Sequence, residues 1–201
     1  MSIVFEFRRH SIKDGPARGM IGPRGWALAR EIGRRQLRGR DFTHFFGSTL
    51  WRTHQTLAAF DEGAGDFRCK RTPEHAAFYV ELPGLMELWK SCAIGAKQGI
   101  DMMQTALSRD PELADRTAKA CAERFREWLP SFPDGARVLV VGHSPNMELL
   151  ALGVTGQIMP GLSECRGFRM AVDGGAVQLD YDAPDLDPSG IRQELFDGPS
   201  M

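Results

Sequence analysis

Two apolar runs in this chain stop at a histidine. Residues 3–7 read I-V-F-E-F and lead straight into R-R-H-S-I-K-D, and residues 138–141 read V-L-V-V and lead into G-H-S-P-N. Short runs rich in Val, Ile and Phe that end in polar or glycine-containing stretches predict β-strands. The unbroken apolar run at 137–141 suits a parallel strand buried on both faces. In open α/β sheets ligands bind at the carboxyl ends of the strands. A single histidine there would read as an ordinary loop residue, but two strands ending in Arg9-His10 and in His143 predict one shared pocket.

The pattern between and after these strands predicts alternating helices and strands. Residues 11–22 carry Gly15, Gly19, Gly22 and Pro16 and read as a loop at the pocket rim. In 24–37, Trp26, Ala29, Ile32 and Leu37 recur near helical spacing with arginines between them, an amphipathic helix. Residues 41–47 predict a short strand, and a helix follows with Ser48 as its N-cap. Spacing of four places Arg52 and Thr56 on one face of that helix. Residues 61–72 form a polar loop with a short strand at 67–70, and 73–85 offers Phe78, Tyr79 and Val80 as a strand or docked segment. Residues 85–107 are helical by propensity although Gly95 and Gly99 weaken them, and 111–129 is a firmer helix broken at Pro130. Pro145 favours a helix start, and that apolar helix ends near Gly156. A hairpin, 167–172 with 176–181, turns at Asp173-Gly174-Gly175. Residues 1–182 make one domain, and 183–201, part of a stretch with three prolines and five acidic residues from Asp182 on, reads as a loosely held tail.

Composition narrows the function. The formal charge of −1 gives no reason to expect nucleic acid or an acidic membrane as partner. The arginines at 24, 30, 34, 35, 38 and 40 fit a solvated helix face better than a nucleic-acid patch. Cys69, Cys92, Cys121 and Cys165 are widely spread, with no zinc-type cluster, so neither a structural metal nor a disulfide framework is expected. No apolar run reaches the ~18 residues a membrane span needs, and a cytoplasmic protein is expected.

The candidate chemistry lies in Arg9, His10, Arg52 and His143. Guanidinium groups offer planar donor forks matched to phosphate, and two of them flanking imidazoles make a clamp for a tetrahedral dianion. Phosphate monoesters hydrolyse so slowly unaided that pre-placed positive charge is the expected device of an enzyme that cleaves them. An unprotonated imidazole can attack phosphorus, and neighbouring guanidinium charges favour that neutral form. His10, beside Arg9, is the better nucleophile.

Four motifs in order, R-R-H-S, G-P-R-G-W-A-L-A, S-T-L-W-R-T-H-Q-T and V-V-G-H-S-P-N, resemble the histidine phosphatase superfamily, the phosphoglycerate mutase-like proteins. The resemblance runs from Ile3 to about Tyr181. It implies an α/β fold, a three-layer α/β/α sandwich with a mostly parallel central sheet, and a phosphohistidine mechanism without cofactor or metal. By that resemblance His10 takes the phosphoryl group while Arg9, Arg52 and His143 hold its oxygens. The family's proton-donating acid falls on Glu87, with Glu81 as competitor. Ser11 stands where glycine is typical and is expected to donate to phosphate, whereas Arg8 alternates across the strand and points away to a carboxylate or water. His44, His54 and His75 are read as surface or packing residues.

The resulting expectation is a phosphomonoesterase acting on a small phosphorylated metabolite or a phosphoprotein, its substrate unspecified. A mutase that hands the phosphoryl group to a second acceptor, and a catalytically silent binder of phosphorylated ligands, are the alternatives.

Overall fold

The computed structural model describes residues 2–15, 17, 19–65, 67 and 74–197. The first strand, β1 (Ser2–Arg9), alternates across the sheet: Ile3, Phe5 and Phe7 enter one apolar layer, and Glu6 and Arg8 face the other way. Helix α1 (Pro23–Ile32) follows and widens into a π-helical turn at Gly33–Leu37, so the amphipathic segment is one continuous element with a changed pitch. Strand β2 (His44–Gly47) leads to α2 (Trp51–Ala64), and β3 (Glu74–His75) is a two-residue edge. Helices α3 (Leu85–Lys97), α4 (Met102–Arg109) and α5 (Pro111–Trp128) precede β4 (Arg137–Gly142) and α6 (Asn146–Thr155). The hairpin β5 (Gly167–Asp173) and β6 (Ala176–Asp180) is antiparallel, as its turn residues predict.

Among the described residues six strands lie in the order β3-β2-β4-β1-β5-β6. β3, β2, β4 and β1 pair in parallel, and β5 joins β1 antiparallel. The central strand β4 serves both sides. In β4, Val138 and Val140 pack with α5 and α6, whereas Leu139 and Val141 pack with α1 and α2. The two apolar layers make the predicted α/β/α sandwich. Helices α5 and α6 cross closely enough that a Cβ on Gly153 would lie 1.9 Å from the Ala118 carbonyl oxygen, so this crossing requires glycine.

Several boundaries differ from the sequence expectation, each for a physical reason. The 85–107 helix is two helices, because Gly99 adopts φ +79 and Asp101 caps a new start by accepting from the amides of Met103 and Gln104. Phe78 and Tyr79 do not extend a strand; Phe78 is buried against Phe7 and Trp128, which makes 76–82 a docked segment. The strand expected at 67–70 falls on residues of which 68–70 lie outside those described, as does Cys69.

The expected loose tail is folded as far as Phe196. Pro184–Leu186 forms a 3-10 turn and Ser189–Phe196 forms α7, with Leu186 and Ile191 buried. Its anchor is Arg8, which points away from the pocket as predicted. That fully buried guanidinium pairs with Glu6 at 2.6 Å, donates to Gln36 Oε1 at 2.8 Å and donates to the carbonyls of Cys165, Asp185 and Leu186. A buried charge needs this many partners, and two of the carbonyls come from the tail.

Candidate active site

Strand register builds the site. Arg9 pairs with Gly142 across the β1–β4 ladder, and the His10 amide donates to the Gly142 carbonyl at 3.0 Å. The residues that follow, His10 and His143, therefore emerge side by side at the carboxyl edge. Their ring centroids are 5.2 Å apart. On the far side of β4, β2 ends beside the same edge, and Ser48 just beyond it bonds His143 Nε2 at 2.7 Å. Arg52, in the first turn of α2, is half-buried, and its charge is felt by both imidazoles. Helix α2 is tied to β1 by Thr56, whose hydroxyl accepts from the Ser11 amide at 3.0 Å and donates to the Arg52 carbonyl at 2.7 Å.

Hydrogen bonds decide where the protons sit. His10 Nδ1 lies 2.7 Å from the Ser11 carbonyl oxygen. A carbonyl only accepts, so Nδ1 carries the proton and Nε2 keeps a free lone pair. Leu50 N donates to Ser48 Oγ at 3.1 Å, and Thr53 gives its proton to the Leu50 carbonyl at 2.8 Å. The shorter of the two remaining contacts of Ser48 Oγ is to His143 Nε2 at 2.7 Å, against 3.3 Å to Thr53 Oγ1, which favours donation to His143 and a His143 proton on Nδ1.

Both imidazoles are neutral. Burial, then His143 and the Arg9 and Arg52 charges, push His10 down to about 2 against the weaker opposing pull of its bond to Ser11. Burial, then Arg52 and Arg9, bring His143 to about 3. Lys13 is also lowered, first by partial burial and then by Arg52 and Arg9, so a third cation shares this field.

The site holds buried polar atoms without protein partners. Arg9 Nε, Arg52 Nε, the Tyr79 hydroxyl and His143 Nδ1 are all in this condition. Tyr79 reaches the site from the docked segment: its ring centroid is 6.4 Å from that of His143, and a Cβ on Gly142 would lie 2.4 Å from its hydroxyl. Burial raises its phenol, so it stays protonated and is a donor. Buried donors left unpaired cost stability, and three such atoms beside the two imidazoles, with His143 Nδ1 as a fourth, make a ready receptor for an anion.

The structure brings together Arg9, His10, Arg52 and His143. It does not bring Glu87 to them. That residue is exposed, pairs with Lys90 at 2.6 Å and lines a groove with Ser91, Arg109 and Asp110. Glu81 is exposed too, on a groove with Glu123, Arg124 and Glu127. Ser11 is fully buried and its hydroxyl donates to the Gly25 carbonyl at 2.7 Å, so its proton secures the start of α1 and is not available to a ligand. Ser48 is no helix cap; α2 begins at Trp51 with Leu50 in the cap position, and Ser48 instead holds His143. Sequence reasoning passed over Ser48 and Tyr79 as site residues. A serine just past a strand end was the one usable signal.

The fold and the site's place at the strand ends define the class, an α/β sandwich of the phosphoglycerate mutase-like type, and the motif resemblance is borne out at that level. Phosphoglycerate mutase from Bacillus anthracis str. Sterne overlays with a TM-score of 0.62 at 16% identity, covering 96% of this chain and 97% of that one. A putative alpha-ribazole-5'-P phosphatase from Escherichia coli gives 0.59 at 16%, over 92% and 99%. A mycobacterial glucosyl-3-phosphoglycerate phosphatase gives 0.56 at 15%, over 93% and 100%. No protein-family model matches the sequence, and no curated protein does.

Proposed function

We propose that the protein is a metal-independent phosphomonoesterase working through a phosphohistidine on His10. The observation that carries the reading is the pair of neutral imidazoles 5.2 Å apart, ringed by unpaired buried donors from Arg9, Arg52, Tyr79 and His143. Side chains thus supply both nucleophile and positive charge. His10 Nε2 gives its lone pair to phosphorus as the ester P–O bond breaks, and the leaving oxygen takes the electron pair and then a proton from solvent water. Water attacks the phosphohistidine, the P–N bond breaks back to His10, and inorganic phosphate leaves. Donors already aimed at the phosphoryl oxygens stabilise the charge that moves outward in each step.

The substrate we favour is a small phosphorylated metabolite, in keeping with the phosphatases of phosphoserine and glucosyl-3-phosphoglycerate that share the fold. The mutase overlay favours a second reading, transfer to an acceptor. We place the protein in the cytoplasm: Cys92, Cys121 and Cys165 are free, and no helix among the described residues is long and apolar enough to cross a membrane. Phosphate release from an aryl phosphate, with and without bisphosphoglycerate, tests the proposal. Hydrolysis that is independent of bisphosphoglycerate and lost in His10→Ala is expected. Strict dependence on bisphosphoglycerate would favour the mutase, and equal turnover in His10→Ala would remove His10 from the mechanism.

A further inference from the structure

Glu148, in the first turn of α6, is a carboxyl with no exposure to solvent, five residues past His143. Its Oε1 accepts from the Ser144 hydroxyl and, at 2.8 Å, from the Leu162 amide. The same Leu162 offers its carbonyl to Arg9 Nη1 at 2.5 Å. One carboxyl therefore joins the segment that carries His143 to the segment that precedes β5, and that second segment braces Arg9. The outer side of Arg9 meets Glu164 at 3.7 Å, a longer and partly exposed contact that fixes direction less well. Without the Leu162 carbonyl, no other short hydrogen bond from protein would orient this guanidinium among the described contacts.

Resting on the phosphatase reading, we propose that Glu148 is a positioning residue of the active site, holding Leu162 so that Arg9 stays aimed at the phosphoryl group bound next to His10. A carboxyl in an apolar helix is expensive to bury, and its second oxygen, Oε2, has no hydrogen-bond partner among the described residues. The cost is understandable if the group's task is geometric, since a guanidinium displaced by about 1 Å forfeits on the order of 100-fold in rate.

The test is a double-mutant cycle on Glu148 and Arg9, read by titrating inorganic phosphate into the folded protein and by aryl phosphate kinetics. Glu148→Leu removes the acceptor; Glu148→Asp retracts it by one methylene and serves if the leucine variant does not fold. Either is expected to weaken phosphate binding and lower kcat/KM by about 10- to 100-fold, whereas Glu148→Gln, which keeps an acceptor oxygen, restores most of both. In an Arg9→Ala background the Glu148 substitutions should have almost no further effect. Fully additive losses would overturn the proposal, as would a Glu148→Gln variant as impaired as Glu148→Leu. If the wild type neither binds phosphate nor hydrolyses the ester, the phosphatase reading fails. Crystal structures of the wild type and Glu148→Asp then decide the positioning role separately: an unmoved Leu162 carbonyl and Arg9 guanidinium would end it.

Discussion

At the scale of the residue, the same side-chain type does opposite jobs according to what it is paired with. Arg8 and Arg9 are neighbours on one strand, yet Arg8 has every donor direction taken up by protein and Arg9 keeps Nε unpaired in the pocket. The first is structural and the second is poised for a ligand. Tyr79 offers a sharp test, because its buried hydroxyl has no hydrogen bond of ordinary geometry. Tyr79→Phe removes a desolvated group whose protein partner is the His143 backbone, a weak compensation for its burial, so urea unfolding should show nearly unchanged stability. Phosphate binding should nevertheless weaken, by about 10-fold for one lost bond to a charged group. Loss of stability with phosphate affinity intact would show that the hydroxyl serves packing alone. Of the site, Arg9, His10, Arg52 and His143 were legible in the sequence because strand ends and helical spacing are local patterns. Tyr79 and Glu148 were not: one belongs to an irregular docked segment and the other sits inside the apolar run M-E-L-L-A-L, and only tertiary packing carries them to the site.

At the scale of the element, caps and register explain where reading the chain succeeded. The helices α5 and α6 were found near their true bounds, since Pro111 and Gly156 mark ends by backbone chemistry. The proposed cap at Ser48 failed because its hydroxyl has a stronger claim elsewhere, on His143. The tail was misjudged because proline and acid content describe solvation, and nothing local shows that Arg8 lies buried and waiting for its carbonyls. The Asp185 carboxylate adds ion pairs with Arg40 and Arg169 to the same joint. Truncation after Tyr181 strips Arg8 of the Asp185 and Leu186 carbonyls. Breaking up a buried charge network typically costs about 3–5 kcal/mol, a loss that the urea midpoint would report. A truncated chain as stable as the full one would contradict the anchor described here.

At the scale of the whole molecule, two neutral buried histidines make stability depend on pH in a defined direction. The native site holds them near 2 and 3, while the unfolded chain protonates them at their ordinary value of 6.5. Below 6.5 the unfolded state binds more protons, so stability falls on acidification. Glu148 works the other way: burial raises it to about 7 against an ordinary 4.5, so its contribution is present at low pH and lost as pH rises from 4.5 through 7. Acid sensitivity from the histidines should therefore steepen below about 4.5, where Glu148 is protonated in both states and no longer opposes them. Urea unfolding from pH 3 to 8 checks this: His10→Ala should show a shallower acid loss than the wild type, and parallel curves would contradict the assignment of neutral imidazoles.

The most direct measurement is to quench the protein during turnover of a 32P-labelled aryl phosphate and locate the label. The account predicts one acid-labile, base-stable phosphoryl group per chain, on His10 and absent from His10→Ala. Label on another residue, or turnover that survives in His10→Ala, would contradict it.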